Sequence, residues 1–189
     1  MARGRELIFR SFPYVDWFLP KDFAREAACG PRTGVNSTSR LRAAEEFFHE
    51  HIPLTKAMGL RVVPDAERGW ALEAPVALNS NHLQTAFGGS IAAVATLAGY
   101  AFLWLELGGD SDAHVVVRES RIRYLRPVRE TIRAVCSPPS ADKLEGLRHS
   151  LQATGKARIN LHVVVEENGI AAAQLEGSFV ALRSSAGAA

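Results

Sequence analysis

The sequence contains 32 consecutive residues, positions 74–105, without a single Asp, Glu, Lys or Arg. Residues 88–105 of this stretch would be apolar all around a helix, and a helix without a polar face must be enclosed by protein or by lipid. A helix of about 20 residues spans roughly 30 Å, so the length also allows a membrane span. Polar Ser90 and Thr96, three glycines and the lack of a basic anchor at the N-terminal end favour burial beneath the protein's own sheet.

Two shorter helices are predicted ahead of this segment. The first is capped by Ser39 and stopped by Pro53, which cannot continue a helix. Between them, apolar residues recur every three or four positions: Leu41, Ala44, Phe48 and Ile52. A second, short helical turn is expected at 54–58, because Gly59 suits a helix end.

The remaining segments have the composition of strands. Residues 60–63 and 70–74 predict one hairpin, and the Asn168-Gly169 pair is a strong signal for another. Four further strands are expected at 114–125, 131–136, 155–166 and 170–182. The order of helix, hairpin, long helix and strands predicts an α+β fold with a mostly antiparallel sheet.

The length of 189 residues fits one domain with an appendage. Residues 41–183 are predicted to form the domain, and residues 184–189 a disordered tail. Residues 1–40 are predicted to form a poorly packed N-terminal arm. The alternative is an arm that docks its aromatic side chains on the domain: Phe9, Phe12, Tyr14, Trp17 and Phe18.

Composition excludes several classes of protein. A net charge of +2 provides no field that would attract nucleic acid. Cys29 and Cys136 alone cannot form a disulfide scaffold or a four-ligand zinc site. The histidines are too scattered to predict a metal site. We therefore expect a cytoplasmic protein that binds no metal, no nucleic acid and no membrane.

The polar, uncharged segment 79–90 leads into the long helix. Gly88 and Gly89 would let a ligand approach the backbone closely, and the first amides of a helix have no intrahelical partner. Such amides can bind an oxygen on which negative charge develops, as in attack on a thioester or ester carbonyl. The alternative is that the two glycines only permit a tight turn and close packing.

Four motifs carry a resemblance to a known family. They are Asn79-x-Asn81-His82-x-x-Thr85-Ala86-Phe87-Gly88-Gly89-Ser90, Leu97-Ala98-Gly99-Tyr100, Ile122-Arg123-Tyr124-Leu125-Arg126-Pro127-Val128 and Gly155-Lys156-Ala157-Arg158-Ile159. Together they resemble the YiiD C-terminal type of thioesterase, a family of the hot-dog superfamily, over residues 41–182. The resemblance implies a hot-dog fold, an antiparallel sheet wrapped around a long central helix. It also implies a homodimer that shares a sheet edge, or a dimer of such dimers, with a tunnel between subunits.

The same resemblance implies a substrate and an activity. The substrate would be an acyl thioester carried on coenzyme A or acyl carrier protein, and the reaction its hydrolysis, with no separate cofactor. The sequence departs from hot-dog thioesterases that carry an Asn-x-x-Gly-x-x-His-Gly-Gly motif and an acid on the central helix. In this sequence Phe87 stands in place of the His, and Thr96 in place of the acid.

The missing acid leaves the proton acceptor open. Hydrolysis needs a group that accepts a proton from water, and His82 is the only side chain of the segment that titrates near neutrality. The hypothesis is that the amides of Gly88 and Gly89 polarise the thioester carbonyl. Asn81 would orient water or substrate, and His82 or a residue of the partner subunit would assist.

Further residues are expected to contact the substrate. Those in the matched motifs near the helix start are Asn79, Thr85, Phe87, Ser90 and Tyr124. Arginine suits phosphate because of its planar fork, and coenzyme A carries three phosphoryl groups. The candidates for its nucleotide end are Arg126, Lys156 and Arg158, whereas a solvated sheet face is expected for Arg118, Arg121 and Arg133.

One other mechanism and two other functions are weighed against hydrolysis by activated water. Gly88-Gly89-Ser90 partly matches a nucleophile elbow, but no strand is expected immediately before it. The missing acid is also compatible with a non-catalytic module that binds acyl thioesters. A hot-dog dehydratase or hydratase would need a carboxylate or a His pair that the sequence does not locate.

Overall fold

The computed structural model describes residues 37–109 and 113–183. Its four α-helices are α1 (Ser37–His51), α2 (Pro53–Ala57), α3 (Gly88–Glu106) and α4 (Ala141–Thr154). Its six strands are β1 (Arg61–Asp65), β2 (Gly69–Pro75), β3 (Ala113–Tyr124), β4 (Thr131–Ser137), β5 (Lys156–Glu167) and β6 (Ile170–Arg183). Most of the predicted arm and the predicted tail lie outside the described residues, at 1–36 and 184–189.

The six strands form one antiparallel sheet in the order β1-β2-β4-β5-β6-β3. Both predicted hairpins are present, β1 with β2 and β5 with β6. The second closes through Asn168 and Gly169, which both have positive φ, as a tight turn between twisted strands requires. The predicted α+β class with an antiparallel sheet is confirmed.

The long apolar helix α3 packs against five of the six strands, β2 to β6. Nine of its residues are buried, and they form the core together with the alternate, inward-facing residues of the strands. By length and composition α3 could cross a membrane; in this fold the sheet covers it. This is the hot-dog arrangement that the resemblance implies.

Contact between α3 and the sheet depends on a fully buried ring, Phe179 of β6. A Cβ atom at Gly99 of α3 would lie 2.4 Å from Phe179 Cζ. A Cβ atom at Gly177 of β6 would lie 2.7 Å from Phe179 Cε2. The ring therefore fills a slot that exists because two positions around it have no side chain.

One helix was not expected from the sequence. Residues 141–154 form α4, which buries Leu147 and Leu151 against β5 and the core. Gly155 was expected to begin a strand, but it ends α4 with φ of +70°, a left-handed conformation that favours glycine. The strand β5 begins one residue later, at Lys156.

Arg133 was expected on a solvated sheet face, and this prediction is wrong. Its guanidinium is three-quarters buried and lies 2.6 Å from Asp65 and 3.4 Å from Glu166, and it also donates to Glu73. Glu73 and Glu166 are its cross-strand neighbours on β2 and β5. Burial by itself lowers the pKa of Arg133, but these hydrogen bonds and charges raise it overall. Arg118 and Arg121, by contrast, are exposed as expected.

A second polar cluster joins the β5–β6 turn to the connection between β3 and β4. The Glu167 carboxylate accepts hydrogen bonds from the amides of Arg129 and Glu130, at 2.7 and 2.9 Å. Burial alone would raise the pKa of Glu167, but the two amides and the charges of Arg126 and Arg129 bring the pKa below its usual range. Glu167 thus fixes the end of the sheet at which α3 begins.

Replacing Glu167 by glutamine should lower the free energy of unfolding at pH 7 by about 1 kcal/mol, because a charged acceptor is lost. The pKa of Glu167 is lower in the folded protein than in the unfolded chain. Its carboxylate therefore stabilises the fold fully at a pH above the unfolded-state pKa, and this stabilisation is lost as the pH falls through the folded-state pKa. Urea unfolding from pH 7 to pH 3 should show the difference between the two proteins shrinking. Glu130→Gln changes an exposed residue and is the matched control; a constant difference across the range would contradict the prediction.

Candidate active site at the start of the central helix

The segment that leads into α3 is held by Asn79, which is buried. Its side-chain amide donates to the carbonyls of Met58 and Pro75, at 2.9 and 2.8 Å. Its own carbonyl accepts the Phe87 amide at 2.8 Å. Asn79 was expected to contact the substrate, but both protons of its amide are used within the protein. In the structure it positions the residue that precedes α3.

Between Asn79 and α3 the chain forms a small closed loop. Ser80 and Ala86 make an antiparallel bridge, and the Asn81 amide donates to the Thr85 carbonyl at 2.8 Å. Inside the loop, Asn81 Oδ1 accepts hydrogen bonds from the Leu83 amide at 2.8 Å and from Thr85. The oxygen of Asn81 and the hydroxyl of the buried Thr85 therefore stabilise the loop, and these contacts do not use the Asn81 Nδ2 group.

The tip of the loop consists of His82, Leu83 and Gln84, which are all exposed. Gln84 has φ of +57°, so the chain reverses there through a left-handed residue. The loop is fastened to the sheet by the Ala86 amide, which donates to the Val128 carbonyl at 2.8 Å. The His82 ring consequently projects from a well-anchored loop rather than from the core.

The first turn of α3 presents free amides. Phe87 is the N-cap residue and makes no side-chain cap, and the first helical hydrogen bond runs from the Ile91 amide to the Phe87 carbonyl. Within the described residues, no backbone hydrogen bond outside the helix uses the amides of Gly88, Gly89 or Ser90. The positive end of a 19-residue helix adds to their attraction for negative charge. The arrangement can bind an oxyanion.

Two aromatic rings border these amides. The Tyr124 hydroxyl donates to the Gly88 carbonyl at 3.0 Å, and the ring lies 3.6 Å from where a Gly88 Cβ atom would be. The Phe87 ring lies over Gly89, where an added Cβ atom would be 2.4 Å from Phe87 Cε1. Both rings remain more than half exposed, at 52% for Tyr124 and 56% for Phe87. Thus Gly88, Gly89, Phe87 and Tyr124, all predicted from the sequence, come together.

The three basic candidates for phosphate binding do not come together within one subunit. Arg126 lies at the α3 start, where its guanidinium donates to the carbonyls of Glu167 and Ile170, at 2.9 and 2.5 Å. Lys156 and Arg158 lie at the other end of β5, roughly 30 Å away at about 3.3 Å per residue. Arg158 Nε donates to the Ser178 hydroxyl at 2.7 Å. The support that Arg126 gives to the β5–β6 turn could not be predicted from the sequence, because the contact joins residues about 40 positions apart.

Two other side chains have the chemistry of a nucleophile. Ser90 is half-buried in the first turn of α3, and none of the hydrogen bonds between described residues joins its hydroxyl to a histidine or an acid. Burial raises the pKa of the Cys136 thiol to about 12, so it carries no thiolate at neutral pH. The geometry therefore favours attack by water over attack by a side chain.

Comparison with known protein families shows to which family this chain belongs. Residues 41–183 match the family described as "Putative thioesterase (yiiD_Cterm)". The chain belongs to this family. The resemblance predicted from the four motifs is confirmed, and the matched region includes every candidate site residue. Membership in this family supports thioester hydrolysis in general.

Solved bacterial structures share the fold. A protein of unknown function from Chlorobaculum tepidum TLS is 28% identical with a TM-score of 0.70, over 77% of this chain and 95% of that one. A protein described as a putative thioesterase from Shewanella oneidensis is 27% identical with a TM-score of 0.65, over 76% and 98%. A Bacillus halodurans protein solved with coenzyme A is 19% identical with a TM-score of 0.55, over 81% and 98%. The last of these three is similar in fold alone.

Proposed function

We propose that this protein hydrolyses acyl thioesters of coenzyme A, with the start of α3 as the catalytic site. The observation that supports this most is the set of free amides at Gly88, Gly89 and Ser90, bordered by two exposed aromatic rings, in a member of a thioesterase family. Coenzyme A is preferred as carrier because a protein of the same fold was solved with it. Acyl carrier protein is the alternative carrier.

In the proposed reaction the thioester oxygen lies against the amides of Gly88 and Gly89. Water attacks the carbonyl carbon, negative charge moves to that oxygen, and the amides stabilise it together with the helix dipole. Collapse of the tetrahedral intermediate breaks the carbon–sulfur bond and releases the thiolate and the acid. The amides stabilise the oxyanion but accept no proton, so with Thr96 at the position of the helix acid another group must accept the proton of the attacking water.

In this proposal His82 accepts the proton of the attacking water, and Asn81 Nδ2 orients the water or the substrate. Replacing His82 by glutamine should reduce kcat/KM by about 100-fold, the effect of a general base. Thiol release from acyl-coenzyme A measures the rate. An unchanged rate would move the base to another residue, such as one from a second subunit.

A homodimer is part of the proposal. Lys156 and Arg158 lie too far from the α3 start of their own subunit to serve it. When two sheets join antiparallel along an edge, the far end of one lies beside the near end of the other. In such a dimer these two residues would serve the partner's site rather than their own, from exposed positions that alternate with the buried residues of β5.

Three activities are separated by one panel of substrates. Acyl-coenzyme A thioesters of different chain lengths are tested for release of free thiol, and an enoyl-coenzyme A for hydration. If the protein is a thioesterase, at least one saturated acyl-coenzyme A should release free thiol, and the enoyl-coenzyme A should not be hydrated. Tight binding without thiol release would instead identify a binding module, and hydration without thiol release a hydratase.

A further inference from the structure

The proton of the Tyr124 hydroxyl is used within the protein. The hydroxyl donates to the Gly88 carbonyl at 3.0 Å, and a tyrosine hydroxyl has a single proton to donate. Tyr124 was expected to contact the substrate, but in the structure this proton is directed at the backbone. Any effect of the proton on the reaction must therefore pass through the peptide group that it binds.

That peptide group also carries the Gly89 amide. A peptide group is planar, and its C=O and N–H point in opposite directions when the bond is trans. None of the peptide bonds between described residues is cis. The Tyr124 hydroxyl and an oxygen bound to the Gly89 amide would consequently lie on opposite sides of one peptide group, so both can be bound at the same time.

The hydroxyl should make the Gly89 amide a stronger donor. Hydrogen bonds that follow one another in a chain polarise one another. The C–N bond has partial double-bond character, so electron density drawn toward the Gly88 carbonyl oxygen leaves the amide hydrogen of Gly89 more positive. Tyr124 can thus strengthen the binding of an oxyanion without touching the substrate.

The same hydrogen bond orients a peptide group that is otherwise weakly restrained. This group joins two glycines, the residues with the greatest backbone freedom, and it lies in the first turn of a helix, where helices fray. Phe87 provides no side-chain cap for this turn. The Tyr124 ring adds a second contact, since it lies 3.6 Å from where a Gly88 Cβ atom would be.

The sheet determines where the Tyr124 side chain lies. Tyr124 is the last residue of β3 and pairs with Ala173 of β6, which is fully buried in the core. Opposed residues of an antiparallel pair lie on the same face, so the tyrosine lies on the face that packs against α3. The next amide, that of Leu125, donates to the Ala172 carbonyl at 2.8 Å. The hydroxyl is therefore presented to α3 from a well-anchored strand end.

We propose that Tyr124 is a positioning residue for hydrolysis, whose hydroxyl orients and polarises the Gly89 amide through the peptide group between Gly88 and Gly89. This inference rests on the proposed function. Hydrogen bonds to a charged acceptor are about twice as strong as those to a neutral one, so a stronger donor matters most when charge develops on the thioester oxygen. The hydroxyl should therefore affect kcat and leave substrate binding nearly unchanged.

Kinetics of Tyr124→Phe test this role, because the variant removes the hydroxyl and keeps the ring. The side chain is 52% exposed, so the fold should tolerate the change. In thiol release from acyl-coenzyme A, kcat should fall about 3- to 10-fold, the effect of one hydrogen bond, while KM changes less than about twofold. A hydroxyl that contacts the substrate would instead raise KM at constant kcat. That result, or unchanged kinetics, would overturn the inference.

Tyr100→Phe makes the same chemical change elsewhere and is the matched control. Tyr100 is a half-buried residue of α3, about 18 Å along the helix from Gly88 at about 1.5 Å per residue. Its replacement should leave kcat and KM unchanged, and urea unfolding compares the stability of the two variants. An equal loss of kcat in both variants would overturn the specific role of Tyr124.

Nuclear magnetic resonance reads the same peptide group without turnover. The sequence contains two Gly-Gly pairs, at 88–89 and 108–109. When glycine carries carbon-13 at its carbonyl and nitrogen-15, a correlation between carbonyl carbon and amide nitrogen therefore shows two signals, and Gly88→Ala identifies the first by removing it. Tyr124→Phe should move both frequencies of this signal lower, because the peptide group becomes less polarised. The signal from 108–109 should stay in place.

The two measurements separate failure of this inference from failure of the proposed function. A shifted signal with an unchanged kcat would overturn the role of Tyr124 and leave hydrolysis standing. An unshifted signal would show that the hydroxyl does not bind the Gly88 carbonyl, which would also overturn the inference alone. A wild-type protein that releases no thiol from any acyl-coenzyme A would overturn the proposed function, and this inference with it.

Discussion

Replacing Gly99 by alanine is expected to lower the free energy of unfolding by about 2 kcal/mol. An added methyl group would overlap the Phe179 ring, at 2.4 Å from Cζ, and so short a distance places its cost at the upper end, about 3 kcal/mol, of what overpacking a core costs. The ring has little room to move, because it is fully buried and even a Cβ atom at Gly177 would lie only 2.7 Å from it. A glycine-to-alanine change inside a helix by itself stabilises by about 1 kcal/mol. The steric cost should exceed this gain, and urea unfolding measures the difference.

Gly146 offers the matched control for this change. It lies inside α4, and a Cβ atom there would have no contact within 4 Å. Gly146→Ala should therefore stabilise the protein by about 0.5–1 kcal/mol. In a double-mutant cycle, the variant with both Gly99→Ala and Phe179→Leu should be at least 1 kcal/mol more stable than the sum of the two single effects predicts. A Gly99→Ala protein as stable as wild type would show that α3 and the sheet can separate at little cost.

The second large effect is expected from Gly88→Pro, which removes one free amide and keeps the helix. Proline is tolerated at the first position of a helix, where the amide has no intrahelical partner. Phe87, with φ of −66° and ψ of 134°, already has the extended conformation that a residue before proline requires. If the Gly88 amide stabilises the oxyanion, kcat should fall about 100- to 1,000-fold.

Gly88→Ala is the control because it adds a similar Cβ atom and retains the amide. That atom would lie 3.6 Å from the Tyr124 ring, an ordinary contact, so activity and stability should change little. Both variants should unfold at similar urea concentrations. Equal activity of the proline and alanine variants would exclude the Gly88 amide from the reaction.

Much of the fold could be predicted because the strongest patterns are local. Helix α3 was expected at residues 88–105 and lies at 88–106, since a charge-free run fixes what must be buried. The β5–β6 hairpin follows from a two-residue turn signal. Helix α4 was missed because Gly146 and many charged residues weaken its apolar pattern. Its burial comes from contacts with β5, which no local window contains.

The candidate site was predictable only in part. The amides at Gly88 and Gly89 follow from the residues that begin a buried helix, and their geometry agrees with that expectation. The structural use of Asn79 was not visible, because its partners include the carbonyl of Met58, 21 positions away. The roles of Asn81 and His82 in catalysis remain predictions. Arg133 was misjudged because its three acidic partners lie on other strands.

By itself, the sequence determined that the central helix must be buried and where most of the strands lie. Hydrophobic periodicity, turn residues and the lack of charge act over a few neighbouring positions. Only the tertiary structure decided which polar side chains meet, because strand order and register bring distant residues together. It placed Arg126 beside α3 and Lys156 with Arg158 at the other end of the sheet. It also left β3 as an exposed edge, since the order of strands in a sheet does not follow their order along the chain.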